Sequence, residues 1–151
     1  MSEWKRICCA VDFSDESRFA MEEATELASR SKGDLAVIHV AGERPLYHVR
    51  LPYRSELSPT RTGDVARQLE EWRNAAERSA ATHVFASLLT GTPVDEILRF
   101  AREGRYDVIV IGTPGVLGCE RMVFGSVAEA VIRRAPCSVV VARRRAAPSL
   151  A

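Results

Sequence analysis

The sequence predicts a doubly wound α/β domain: one five-stranded, mostly parallel sheet in the order 3-2-1-4-5, with four helices on its two faces in a Rossmann-like arrangement. Three observations predict it. The apolar period switches between two and 3.6 residues along the chain, in the order β-α-β-α-β-α-β-α-β. The strand segments are almost wholly apolar, as strands covered on both faces of a parallel sheet read. The chain has 151 residues, 46% hydrophobic and 27% charged, which suits one ordinary domain with right-handed crossovers. No internal repeat, low-complexity tract or second domain is visible. Residues 1–145 are expected to form the domain and 146–151 a flexible C-terminal tail.

The elements follow in order. Ile7–Val11 is a short apolar strand ending at Asp12. Ser14 then supplies an N-cap, Asp15 and Glu16 favour the first turn of a helix, and Phe19, Ala20, Ala24, Leu27 and Ala28 recur at helical spacing. Gly33 is expected to close that helix as its C-cap. Leu35–Val40 is the second strand. From about Gly42 to Gly63 the pattern breaks around Pro45, Pro52 and Pro59, which reads as a long connection of the kind that is functional or mobile. Val65, Leu69, Trp72, Ala75, Ala76 and Ala80 mark a helix from Asp64, and Val84–Leu89 a third strand. Thr92 is placed to cap the next helix, with Pro93 at its first position, where a missing N–H costs nothing, and Asp95 facing the dipole. That helix turns Ile97, Leu98 and Ala101 inward and stops at Gly104. Tyr106–Gly112 is the strongest strand, Ser126–Arg134 a fourth helix, and Ser138–Ala142 the last strand.

Composition excludes several functions. Lys and Arg total 21 against 20 Asp and Glu, a formal net charge of +1, without the basic excess of a phosphate-neutralising nucleic-acid binder. No stretch approaches 18 apolar residues without a charge, so no helical membrane span is expected. The five-residue apolar run after Met1–Arg6 is too short for a signal-peptide core. Cys8 and Cys9 are adjacent in a strand and face opposite ways, while Cys119 and Cys137 stand far downstream, so four reduced thiols in a cytoplasm are expected. With no CxxC and no HxxxH, no zinc site is expected.

In open parallel sheets ligands bind beyond the carboxyl ends of the strands, where the strand order reverses. Here that places the end of the first strand, at Asp12, opposite the end of the fourth, at Gly112. The segment from Gly112 to Ser126 contains Gly112, Gly115, Gly118 and Gly125. Gly112 and Gly115 permit tight turns and close approach of backbone to a ligand, and Gly125-Ser126 opens a helix whose amides and dipole favour an anion. Directed backbone donors with a serine hydroxyl suit phosphate. The segment is neither a Walker A loop nor a GxGxxG fingerprint, since it has no GxxxxGK[ST] and no Lys.

Gly112-x2-Gly115-x9-Gly125-Ser126 resembles the Gly-x2-Gly-x9-Gly-(Ser/Thr) signature of the ATP-binding branch of the universal stress protein family. The resemblance runs from Lys5-Arg6-Ile7 through Val11-Asp12-Phe13-Ser14, Val37–Val40 and Val127-Ala128-Glu129 to Arg134–Val141. It implies that ATP is bound, commonly with Mg²⁺ or Mn²⁺ through the phosphates, by Asp12, Val40, Gly112, Thr113, Gly115, Gly125, Ser126 and Val127. Of these, Asp12 would contact the nucleoside and Val40 would meet adenine through its backbone. Gly112 and Gly115 would line ribose and phosphates, and Gly125, Ser126 and Val127 would hold the outer phosphates. It also implies a homodimer joined through Ser138–Ala142. Many ATP-binding members resemble Gly-Thr-His-Gly-Arg where this chain has Gly112-Thr113-Pro114-Gly115-Val116. Pro114 removes a donor and Val116 brings no charge, which predicts weaker phosphate binding than the glycine spacing alone implies.

The remaining conspicuous residues read as structural. His39 lies in an apolar strand and is expected to pack rather than act as a base; His48 and His83 carry no assigned role. Trp72 is expected in the core or at a dimer contact. Cys119 is read as an inert thiol, and Arg143-Arg144-Arg145 as a solvated run. With no GxSxG elbow, no general base and no Lys or Arg finger near the loop, the sequence predicts a nucleotide-responsive stress regulator with no catalytic residues and at most weak ATPase activity. The alternatives are a nucleotide-free interaction module of the same fold and a slow metal-dependent hydrolase using Asp12.

Overall fold

The computed structural model describes residues 3–41, 59–113 and 125–143. The expected tail, the greater part of the 42–63 connection, and Pro114, Gly115, Val116, Gly118 and Cys119 lie outside the described residues. Five strands alternate with four helices: β1 Arg6–Ala10, α1 Asp15–Ser31, β2 Asp34–Ala41, α2 Pro59–Ala80, β3 Val84–Thr90, α3 Pro93–Glu103, β4 Val108–Gly112, α4 Ser126–Arg134 and β5 Ser138–Ala142. The sheet runs β3-β2-β1-β4-β5 with every pairing parallel, the predicted order.

Strand alternation divides the core into two layers. Ile7, Cys9, Leu35, Val37, Val108 and Val110 face α1 and α2, where they meet Ala20, Ala24, Ala28, Leu69 and Ala76. Ala20, Ala24 and Ala28 recur every fourth residue, so one small-residue stripe lets α1 lie close on the sheet. On the other face Cys8, Ile38, Ile109 and Ile111 pack on Ile97, Leu98 and Ala101 of α3 and Ala128 and Val131 of α4. Cys8 and Cys9 thus point into different layers, as alternation requires, and the described cysteines, Cys8, Cys9 and Cys137, are free thiols.

Several boundaries differ from expectation. The left-handed residue ending α1 is Lys32 (φ 54°), and Gly33 follows it. Gly33 is required by space instead, because a Cβ there would stand 2.6 Å from the Lys5 carbonyl oxygen. α2 begins at Pro59, five residues ahead of Asp64, with proline at the first helical position where its fixed φ helps. Thr92 occupies the N-cap of α3 but makes no side-chain capping bond. β4 starts at Val108, because Asp107 is occupied by β1: its Oδ2 accepts the Lys5 and Arg6 N–H groups at 2.9 and 2.8 Å. Tyr106 stacks on Phe100 with ring centroids 5.2 Å apart, beneath the Arg6 guanidinium.

Candidate functional site

β1 and β4 are neighbours whose following helices leave on opposite faces, so the carboxyl ends of the central strands open a crevice. A cleft of about 460 Å³ lies there, within the size range of small-molecule sites. Asp12, Ser14, Glu16 and Ser17 bound it on one side, Ile38, His39 and Val40 on a second, Pro93 and Ile97 on a third, and Gly112 with Gly125–Ala128 on the fourth. Asp12, Val40, Gly112, Gly125, Ser126 and Val127 are thereby brought together from four elements and their flanks. Thr113 is not among the lining residues: it is 2% exposed, and its N–H donates to the Ala142 carbonyl at 3.1 Å. Gly115 lies outside the described residues.

Asp12 is held by the start of α1. Phe13 adopts φ 65°, a costly conformation for a bulky residue, of order 1–3 kcal/mol, and this folds the chain back after Asp12. Asp12 Oδ1 then accepts the Ser14 N–H at 3.0 Å, the Ser17 hydroxyl at 2.6 Å and the Ser14 hydroxyl. Partial burial pushes this carboxyl up, but the serine hydrogen bonds together outweigh it and hold it below the usual carboxylate range. Phe13 is kept in place by its ring contacts, 4.7 Å from His39 and 5.4 Å edge-on from Trp72. His39 lies 2.7 Å from the Val11 carbonyl through Nδ1; a carbonyl only accepts, so Nδ1 carries the proton. It packs, as expected of it, and the same holds for Trp72.

Val40 presents its backbone to the cleft. Ile38 O accepts the Val11 N–H at 2.9 Å on the β1 side, and Ala41 O accepts the Gly91 N–H at 3.0 Å on the β3 side. Successive residues of a strand alternate sides, so the amide and carbonyl of Val40 face the β1 side, beyond the last paired residue of β1, Ala10. A donor and an acceptor therefore border the cleft side by side, the pattern that reads the edge of a heterocyclic base.

The fourth wall is the start of α4. Gly125 is the N-cap and makes no side-chain capping bond, and the first intrahelical bond runs from the Glu129 N–H to the Gly125 carbonyl at 2.9 Å. The amides of Ser126, Val127 and Ala128 precede that bond, so they and the helix dipole are left for an anion. Gly112 matters by its lack of a side chain, since a Cβ there would stand 2.3 Å from the Glu16 carbonyl oxygen. Among the described residues no Lys or Arg lines the cleft, whose ionisable groups are Asp12, Glu16 and His39. Sequence reasoning passed over Ser17, although the spacing Asp12-x-Ser14-x2-Ser17 is its signal, and over Ile97, whose helical register shows only that it faces inward.

A second groove of about 480 Å³ lies between α1 and α2, lined by Trp72, Met21, Arg18, Glu22, Glu26 and Glu71 among others. It is rimmed by carboxylates, and among its lining residues none belongs to the first turn of a helix that could offer a phosphate free amide donors.

The universal stress protein family model matches residues 3–143. The chain belongs to that family. A putative universal stress protein of Staphylococcus haemolyticus is 32% identical over 149 residues, which cover 98% of this chain and 90% of the relative. Universal stress protein UspA from Lactobacillus plantarum superposes with a TM-score of 0.78 over 95% of this chain and all of its own, at 24% identity, a likeness of fold. A universal stress protein from Archaeoglobus fulgidus, solved in complex with dAMP, superposes with a TM-score of 0.66 at 25% identity, covering 93% of this chain and 99% of that one.

Proposed function

We propose that this universal stress protein binds an adenine nucleotide, ATP with Mg²⁺ or Mn²⁺, in the cleft and works as a nucleotide-responsive regulatory homodimer in the cytoplasm. One observation carries the reading: a base-reading amide and carbonyl at Val40, a charged acceptor at Asp12 and the uncapped start of α4 border a single cleft. The base lies against the Val40 backbone, Asp12 takes a donor of the nucleoside, Gly112 forms the wall, and Gly125, Ser126 and Val127 hold the outer phosphates. Thr113, buried beside Gly112, supports that wall from outside the cleft, and Gly115 takes the ribose- and phosphate-lining role that the family resemblance implies. The dAMP bound by the Archaeoglobus fulgidus relative supports the ligand class.

The cation follows from charge. Asp12 and Glu16 border a cleft that receives a polyanion and that no described Lys or Arg lines, so a divalent ion on the phosphates supplies the missing positive charge. No group of three or more His, Cys, Asp or Glu that could hold a metal occurs among the described residues, so the ion would be carried by the phosphates, with the Ser126 hydroxyl available to it. When bound, such an ion would supply screening of the phosphate charge. Among the described residues no cationic side chain is placed to stabilise charge developing in phosphoryl transfer, and the reading takes hydrolysis to be slow at most. For the dimer, β5 stands at the sheet edge with Val139, Val140 and Val141 partly exposed, a strand suited to pairing with a second copy.

The test is to denature protein purified without added nucleotide, identify any released ligand by mass spectrometry, and titrate Mg-ATP by calorimetry against Gly125→Ala and Ser126→Ala. Released or titrating adenine nucleotide, weakened at least tenfold in the variants and by EDTA, is expected. Absence of binding at millimolar Mg-ATP refutes the reading, and multiple-turnover ATPase activity abolished by Ser126→Ala refutes its non-catalytic part. Light scattering after gel filtration reports the dimer.

A further inference from the structure

Ser17 is 5% exposed in the first turn of α1, and its hydroxyl is committed to Asp12 twice. Ser17 Oγ accepts the Asp12 backbone N–H at 2.8 Å and donates to Asp12 Oδ1 at 2.6 Å. Ser14 bonds the same carboxylate oxygen through its N–H and its hydroxyl. A hydroxyl has one proton, so both serines direct theirs to Oδ1 and the polarity of the cluster is fixed. Helix capping alone does not require Ser17, because Ser14 Oγ already accepts the Ser17 N–H at 3.2 Å as the cap of α1. Three donors converge on Oδ1, and none of them reaches Oδ2.

We propose that Ser17, together with Ser14, is a positioning residue for ligand binding: the pair fixes the Asp12 carboxylate in one orientation and leaves Oδ2 as the acceptor offered to a donor group of the ligand. The proposal rests on the nucleotide reading of the cleft and deepens it. An acceptor held at this end attracts a hydroxyl or amine of a nucleoside and repels a phosphate. The pair thereby sets which end of the ligand enters beside α1 and which lies against α4. Glu16 from α1 and His39 from β2 are the other ionisable groups bordering the cleft, and the residues contributed by α3, β4 and α4 do not titrate.

The experiment combines a carbon-13 NMR titration of the Asp12 carboxyl in unliganded protein with Mg-ATP calorimetry across pH. In the wild type the carboxyl is expected to titrate below the ordinary aspartate value of about 3.9. Ser17→Ala is expected to raise that midpoint and weaken Mg-ATP about tenfold, as loss of a hydrogen bond to a charged group does. Ser17→Thr, which keeps the hydroxyl, is expected to restore both. Should Ser17→Ala fail to fold, Ser14→Gly keeps a residue tolerated at a helix cap while deleting a donor, and is expected to move the midpoint the same way. A midpoint unmoved in whichever variant folds, or a midpoint that moves with Mg-ATP affinity unchanged, overturns the proposal. Absence of Mg-ATP binding by the wild type overturns the nucleotide reading, and the ligand-free titration still decides whether the pair controls the carboxylate.

Discussion

Replacing Gly112 by alanine sets a methyl group where two backbones already touch. Its carbon would lie 2.3 Å from the Glu16 carbonyl oxygen, 2.6 Å from the carbonyl carbon and 3.2 Å from the Glu16 Cβ, whereas ordinary contact begins near 3.4 Å. The closest approach falls short by about 1.1 Å, and the atoms it meets are backbone, which yields only by moving the start of α1 or the end of β4. Overpacking of this kind costs about 1–3 kcal/mol. A retreat of about 1 Å by Glu16 also pulls on its neighbour Ser17, stretching the 2.6–2.8 Å bonds to Asp12 past useful geometry. Losing one of them adds about 1 kcal/mol. The sum, roughly 2–4 kcal/mol, is a large part of the roughly 5–15 kcal/mol that stabilises a domain, and it corresponds to a Tm lower by roughly 4–16 °C at this size. Urea denaturation followed by far-UV circular dichroism measures it, with Mg-ATP titration of the surviving fold alongside. A Gly112→Ala protein within about 0.5 kcal/mol of wild type, the scatter of harmless surface changes, refutes the steric argument.

Gly63→Ala should do the reverse, because Gly63 lies inside α2 with nothing within 4 Å of an added Cβ; a gain of about 0.5–1 kcal/mol in urea is expected, and a loss counts against the early start of α2. Leu98→Ala removes a side chain that is 2% exposed between α3 and the sheet, and should cost about 2–5 kcal/mol, while any Mg-ATP affinity of the cleft, measured where the variant is still folded, should change little. Asp12 gives a pH dependence of definite sign. Its folded value lies below the unfolded one, so its contribution to stability is complete above about pH 3.9 and is lost as pH falls through the lower folded value. The stability difference between wild type and Asp12→Asn should therefore shrink over that acid range, and a difference independent of pH would show that the serine bonds do not favour the ionised form.

The fold was legible because a parallel sheet covered on both faces leaves unbroken apolar runs. Ile7–Val11 and Val108–Ile111 could hardly be anything but central strands, and Ser138–Ala142 agrees at both ends with β5. Boundaries failed where geometry outweighed residue type. Gly33 looks like a left-handed cap, yet the Lys5 carbonyl above it is what forbids a side chain, and Lys32 takes the left-handed conformation instead. Pro59–Gly63 carries no apolar stripe, so periodicity could not reveal the first turn of α2. At the site, Asp12 and Gly125-Ser126 were visible because carboxylates and glycine-capped helix starts are chemically conspicuous. Val40 borders the cleft with main-chain atoms that every residue possesses, and only the family resemblance singled it out. Ser17 looked like one more polar residue of an exposed turn, because its burial and its two bonds to Asp12 depend on how the chain doubles back at Phe13.

The adjacent cysteines of β1 give the molecule a pair of internal reporters. Each is fully buried, and burial raises both thiols far above the range in which they would react. Cys8 is sealed beneath α3 and α4, and Cys9 beneath α1 and α2. Alkylation at either sulfur therefore records a transient lifting of the helices on its own side of the sheet, and the ratio of the two rates compares how easily the halves of the structure open. Nature has placed the two probes one residue apart, so a single proteolytic peptide carries the record of both.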